Sequence, residues 1–283
     1  MLNASTIEQL RAMKFSAMAA AFEQQLKDPK PFAQLGFEER FGLMVDAEWN
    51  RRQDNKLHRR IRDAKLDIPS ANMESIEYFA DRGLDKRQLL RLSSCSYIDE
   101  RHHIVIKGAS GCGKTYIACA LGYAACTRFK KVRYVRMPEL LDELVCARTD
   151  NQLKKVSKSY AQVDLLILDE WLLRTLTVQQ AFDLLEIIEA RTKNGATIFC
   201  TQYDTDGWYN RINSDPEQDS PIADAIMDRI IHNAYVINIG GISMRERHGL
   251  HDSSQTVPGT PGIASGQGIC ARLTRQDAQP SAP

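Results

Sequence analysis

Hydrophobic positions in the first 66 residues recur at helical spacing. Ile7, Leu10, Ala17, Met18, Ala21 and Phe22 keep that period behind Ser5 or Thr6, either of which suits a helix cap. The break KDPKPF follows, after which Phe37, Phe41, Met44, Val45 and Trp49 fall on one stripe. This second segment runs on through NRRQDNKLHRRIRDAKLDIP and ends at Pro69. A linker-like stretch, SANMESIEYFADRGLDKRQLLRLSS, comes next.

From residue 102 the period alternates between strand and helix. HHIVIKG reads as a strand, 114–129 as a helix, KVRYVRM as a strand, and Pro138 to about 160 as one long helix. VDLLILDEW is a strand, and TVQQAFDLLEIIEARTKN is a helix opened by Thr177 and Gln180 in capping-box spacing. ATIFCTQY, PIADAIMDRIIHNA and YVINIG complete the series as strand, helix and strand. Short strands, apolar on both faces and separated by helices, predict an α/β fold: a mostly parallel sheet covered on both sides. The chain therefore divides into a small all-helical N-terminal domain (1–69), a linker (70–101), an α/β domain (102–250) and a tail (251–283). That tail loses all periodicity and gains Pro, Gly, Ser and Gln, the composition of a disordered segment.

A length of 283 residues accommodates one good-sized domain and a smaller one. The net charge of +1 makes no global case for nucleic acid or membrane, so any basic surface has to be local. No apolar run approaches the roughly 18 residues that span a bilayer. MLNASTIEQLRAMKF lacks a signal peptide's continuous apolar core, so a cytoplasmic location and no membrane partner are expected. Cys112, Cys119 and Cys126 recur every seven residues. Cys112 lies in a glycine-rich loop while the other two share a helix face with Ala118, Leu121 and Ala125, so buried thiols explain them better than a metal site. His102 and His103 point to opposite faces of the strand they begin and make a poor chelate.

The chemistry centres on Gly108-Ala109-Ser110-Gly111-Cys112-Gly113-Lys114-Thr115, which satisfies GxxxxGK[ST] between a strand and a helix. Its glycines let backbone N–H groups and the helix N-terminus wrap phosphates. Lys114 would reach the β- and γ-phosphates of ATP, and the Thr115 hydroxyl would ligate Mg²⁺. LLILDE supplies the other half. Two adjacent carboxylates after an apolar strand make sense at a sheet edge facing Mg²⁺, with Asp169 holding the ion and Glu170 polarising an attacking water. That pairing favours hydrolysis over transfer to a small molecule, for which no acceptor pocket or lid stands out. Thr201 and Gln202 end the next strand, where a polar side chain can hold the water or the γ-phosphate. Arg229, on an otherwise apolar helix, either pairs with Asp224 or Asp228 or reaches a neighbouring subunit as an arginine finger.

Taken together, GASGCGKT, DLLILDEW, TQ followed by DGW, AIMDRIIHNA and IGGISMR resemble the IstB-like transposition helper ATPases of the AAA+ superfamily, near the bacterial helicase loader and replication initiator. The likeness extends from about residue 5 to residue 248, and the residues after 250 depart from the family's usual ending. It implies an AAA+ core and an ATPase that assembles as a homo-oligomer on duplex DNA, remodels it and presents target sites to the transposase of the same mobile element. By position Lys114 and Thr115 look like Walker A residues, Asp169 and Glu170 like the Walker B pair, and Gln202 like sensor 1. Arg229 looks like the arginine finger and Arg245, within SMR, like a nucleotide-binding sensor 2.

The helix RRQDNKLHRRIRDAK places Leu57, Ile61 and Ala64 on a narrow apolar stripe. Arg52, Lys56, Arg59 and Arg60 crowd the opposite side, flanked by Arg51 and Arg62. Such a face is either merely solvated or a sequence-independent phosphate contact, and the resemblance favours DNA. A second basic cluster, Lys154, Lys155 and Lys158, follows the second strand. Two other readings stay open: a helicase loader acting on single-stranded DNA, and a stand-alone phosphotransferase that ignores DNA.

Overall fold

A computed structural model describes residues 2–213 and 220–247. The expected tail, 251–283, lies outside the described residues. The N-terminal part is built of α1 (Leu2–Ala12), α2 (Ser16–Lys27) and α3 (Phe37–Ala64). Ser5 and Thr6 therefore lie inside α1 rather than capping it. The first expected helix is in fact two, because Lys14 adopts a left-handed conformation (φ 63°) that ends α1, a break that apolar spacing does not register. α3 starts after Gly36, whose N–H donates to the Glu39 carboxylate at 2.8 Å. It stops at Lys65, again left-handed at φ 52°.

α3 bridges the two halves of the chain. Its start packs on α2, while Leu57, Ile61 and the fully buried Ala64 lie against the main core. The stretch read as a linker is packed too. It holds α4 (Lys86–Ser93) and α5 (Ser96–Asp99) and buries Ala71, Ile76, Leu89, Leu92, Tyr97 and Ile98 in that same core. Its apolar residues are spread among polar ones without a sustained period, so only the tertiary contacts reveal their role.

The α/β part runs β1 (His103–Gly108), α6 (Lys114–Thr127), β2 (Val132–Arg136), α7 (Met137–Thr149), α8 (Leu153–Ala161) and β3 (Leu165–Asp169). It continues through α9 (Val178–Asn194), β4 (Ala196–Thr201), α10 (Thr205–Ile212), α11 (Pro221–Ile231) and β5 (Ala234–Ile239). The long helix expected from Pro138 to about 160 is broken in two, with Asn151 left-handed at φ 55° between α7 and α8. α10 has no counterpart among the elements expected from the sequence. The capping box at α9 forms as its spacing predicts, with Gln180 N–H donating to Thr177 Oγ1 at 3.3 Å and Thr177 N–H to Gln180 Oε1 at 3.0 Å.

All strands are parallel, in the order β2-β3-β4-β1-β5, so the sheet is the covered α/β type expected. In β1, Ile104 and Ile106 face the core layer of α3 to α6, while Val105 faces the layer of α7, α9, α10 and α11. The small residues of α6 allow close approach. A Cβ at Gly122 would sit 2.8 Å from Ile167 Cδ1 and 2.9 Å from Leu66 Cδ2, and Cys119 and Cys126 are fully buried beside it. The order puts the carboxyl ends of β3, β4 and β1 side by side, where ligands of open α/β sheets bind.

At the opposite end, His103 is 1% exposed, accepts the Thr197 N–H on Nδ1 at 3.1 Å and meets Phe199 edge-on. Burial, with Arg191 nearby, lowers its pKa from 6.5 to about 4. Between those values the unfolded chain binds the proton and the folded one does not, so this contribution to stability is full above pH 6.5 and is lost as pH falls toward 4. A series of urea midpoints from pH 8 to 5 is expected to decline in the wild type and to decline less in His103→Gln. Equal slopes would remove His103 as the cause.

Candidate functional site

The loop between β1 and α6 is shaped by its glycines. A Cβ at Gly108 would lie 2.5 Å from Ile239 O and 2.6 Å from Cys112 Sγ, so the loop closes against β5 only with glycine there. Gly111 and Gly113 are left-handed, at φ 80° and 97°. Lys114, the first residue of α6, lies over the loop and donates from Nζ to the carbonyls of Gly108 at 2.9 Å and Ala109 at 2.8 Å.

β3 delivers its carboxylate to the same place. Asp169 is 5% exposed. Its Oδ2 accepts from Thr115 Oγ1 at 2.7 Å and from Tyr134 OH at 2.8 Å, and its Oδ1 accepts the Glu170 N–H at 2.8 Å. Burial, with the Asp169 charge beside it, pushes the Tyr134 phenol up, so it stays a donor. Thr115 and Asp169, distant in sequence, thus present a hydroxyl and a carboxylate within one hydrogen bond. Hard oxygen donors of this kind suit Mg²⁺.

Glu170 sits next to them in a left-handed conformation (φ 55°), a geometry costing of order 1–3 kcal/mol for a non-glycine residue. The residue after it holds the turn. Trp171 donates its backbone N–H to Cys200 O at 2.8 Å and buries its ring against Phe199, 4.6 Å between centroids, and Trp208, 5.6 Å away. Trp208 comes from α10, the helix that sequence reading missed. At the end of β4, Gln202 donates to Tyr203 OH at 2.9 Å and Thr201 Oγ1 to Trp171 O at 3.3 Å.

These groups line a cavity of about 300 Å³ that gathers Ser110, Lys114, Thr115, Asp169, Glu170, Gln202 and Arg245. A second cavity, about 590 Å³, adjoins it and shares Gly111, Lys114, Thr115 and Arg245. Ile68 also lines both, and the other walls of the second include Ile76, Tyr116 and Met244. A polar end with a lysine and a carboxylate, continuous with an apolar slot, matches a nucleotide with its phosphates on the loop and its base in the slot.

Three residues here escaped the sequence reading. Arg82, from the supposed linker, is 3% exposed and donates to Cys112 O at 2.9 Å and to Glu77 O. A Cβ on Gly113 would come within 2.9 Å of its Nη2, so the loop and the arginine are fitted to each other. Burial lowers its pKa, yet it remains a cation beside the phosphate loop. Arg136, paired in the sheet with Asp169, lines the smaller cavity and bonds Asp67 at 3.1 Å. Tyr134 is the third. No local signal marks Arg82, whereas Arg136 and Tyr134 sit at alternate positions of a strand already assigned.

Arg229 pairs with neither Asp224 nor Asp228. It donates to Glu189 Oε1 on α9 at 3.2 Å and to Ala225 O at 2.9 Å, and it lines neither cavity. The basic face of α3 divides. Arg51 and Arg52 both bind the buried Glu48, Arg52 at 2.8 Å, and the Arg51 hydrogen bond leads in holding that carboxyl down to about 2. Arg52 also lies over the Phe15 ring, and Lys56 over Phe129 at 4.4 Å. Arg59 and Arg62 stay exposed, while Arg60 is half-buried.

Comparison with known proteins agrees with this geometry. The family described as IstB-like ATP binding protein matches residues 8–252. The insertion sequence ATP-binding protein y4pL of Sinorhizobium fredii is 38% identical over 245 residues, covering 87% of this chain and 97% of its own. The IS1162 ATP-binding protein of Pseudomonas fluorescens is 38% identical over 71% of this chain and 87% of its own. Among solved structures, AMPPCP-bound DnaA from Aquifex aeolicus superposes with a TM-score of 0.53 at 15% identity, over 68% of this chain and 57% of that one. DnaI gives 0.51 at 21% identity, over 62% of this chain and 90% of that one. These two likenesses establish the AAA+ fold.

Proposed function

Because the chain belongs to the IstB-like ATP-binding protein family, we propose that it is a Mg²⁺-dependent ATPase that assembles on duplex DNA, remodels it and presents target sites to the transposase of its own insertion sequence. The observation carrying this reading is the Thr115–Asp169 hydrogen bond at 2.7 Å with Glu170 beside it. Such a constellation offers a cation site and a base for water, which is what hydrolysis needs.

In this reading Lys114 offsets charge on the β- and γ-phosphate oxygens, and Thr115 and Asp169 hold Mg²⁺. Glu170 accepts a proton from the attacking water, which Gln202 helps to orient, while Arg245 contacts the nucleotide from across the cleft. Mg²⁺-ATP, when bound, supplies the phosphoryl group and the energy of its cleavage. Arg229 serves a neighbouring copy in a homo-oligomer. Helices α1 to α3 form the DNA- or partner-binding part, with Arg59, Arg60 and Arg62 its phosphate contacts, and Arg51, Arg52 and Lys56 at the same surface.

Fluorescence anisotropy of labelled duplex and single-stranded DNA, with and without Mg²⁺-ATP at two salt concentrations, tests it. The expected result is salt-sensitive binding that needs ATP and prefers duplex, with ATP dependence lost in Lys114→Ala. A single-strand preference would replace this reading with that of a helicase loader, and no binding to either DNA would end it.

A further inference from the structure

Basic residues of α3 and of the start of β2, far apart in sequence, meet on one side of the molecule. A cleft of about 260 Å³ opens where the C-terminal half of α3, the start of β2 and the end of α8 converge. Arg60, Lys131 and Arg133 line it, together with Ser159, Val132, Val163 and one acid, Asp63. Asp63 is exposed and turned to Arg62 at 3.3 Å. Among the described residues no carboxylate pairs with Arg60, Lys131 or Arg133. Arg60 Nε is buried and has no hydrogen-bond partner there. Arg133 is oriented by the Tyr160 ring, 5.6 Å from its guanidinium carbon.

Three cations lining one cleft with no carboxylate paired to any of them is an unfavourable arrangement unless an anion joins them, because like charges repel and the buried Arg60 Nε lacks an acceptor. Further basic side chains precede the cleft residues on both helices. Lys56 precedes Arg60 by one turn of α3, and the exposed Lys155 precedes Ser159 by one turn of α8. Its chemistry is that of backbone phosphates: two guanidiniums, an ammonium and a serine hydroxyl, with no apolar slot for a base.

We propose that this cleft grips the sugar-phosphate backbone of duplex DNA, with Lys131 and Arg133 as direct phosphate contacts that tie α3 and α8 into one track. The proposal rests on the DNA-binding reading above and locates where on the surface the duplex runs. It assigns contact residues at the edge of the sheet, outside the basic helix.

The double variant Lys131→Gln/Arg133→Gln tests it. Each phosphate contact contributes about 0.9 to the slope of log K against log salt, so two lost contacts reduce the slope by about 1.8 and weaken binding roughly 60-fold near 0.1 M salt. Affinity for a fluorescent ATP analogue is expected to stay at the wild-type value, since neither side chain lines the nucleotide cavities, and the melting temperature to fall little, since Lys131 is exposed and Arg133 gives up only its contact with Tyr160. A wild type that binds duplex while the double variant keeps the same slope would overturn the cleft and leave the DNA reading standing. A wild type that binds no DNA at all would overturn both.

Discussion

Glu170→Gln is expected to lower kcat for ATP hydrolysis by about 10²- to 10⁴-fold, the usual worth of a general base, while nucleotide affinity changes little. The amide keeps the size of the side chain and its left-handed backbone, and the turn is held from its other side by Trp171 packed on Phe199 and Trp208. What the substitution removes, in the proposed role, is the acceptor for the proton of water. Asp169 cannot substitute, because its oxygens are already committed to Thr115, Tyr134 and the Glu170 N–H. Steady-state phosphate release and binding of a fluorescent ATP analogue separate the two effects. An unchanged kcat would assign the base elsewhere, and a large loss of affinity would mean that Glu170 helps to hold the nucleotide.

Arg229→Ala is expected to cost about 10³- to 10⁵-fold in DNA-stimulated hydrolysis, the range of an arginine finger. In a single copy Arg229 rests on Glu189, with a third of its side chain exposed. A surface pair of that kind is worth about 0–1 kcal/mol, so it can be given up on assembly and its loss leaves the fold intact. The decisive form of the test mixes two inactive proteins. Arg229→Ala keeps an intact nucleotide site, and Lys114→Ala keeps an intact finger, so mixed assemblies regain turnover where the two meet. Failure of the mixture to exceed either parent would make Arg229 a structural residue of the α9–α11 contact.

The phosphate loop, the Asp169–Glu170 pair and the alternation of strands and helices were all legible in the chain. Each depends on local rules: glycines where the backbone turns left-handed at Gly111 and Gly113, apolar runs for strands covered on both faces, a capping box at Thr177. Breaks inside helical runs were not legible. Lys14 and Asn151 are left-handed without being glycine, and a single such residue leaves the apolar spacing on both sides undisturbed.

The stretch from 70 to 101 failed for a different reason. Nothing local distinguishes Arg82 from any surface arginine, and its buried place exists only because Cys112 O and Gly113, on a distant loop, are shaped around its guanidinium. The same holds for the cleft of Arg60, Lys131 and Arg133, and for the division of the α3 basic face into arginines that serve Glu48 and residues left open to solvent. By itself the sequence determined that the chain binds a nucleotide on a parallel sheet, since those elements are written in short-range spacing. Which cations stand around the glycine-rich loop, and which have no carboxylate beside them, only the tertiary structure decided, because electrostatic partners are chosen by proximity in space and not along the chain.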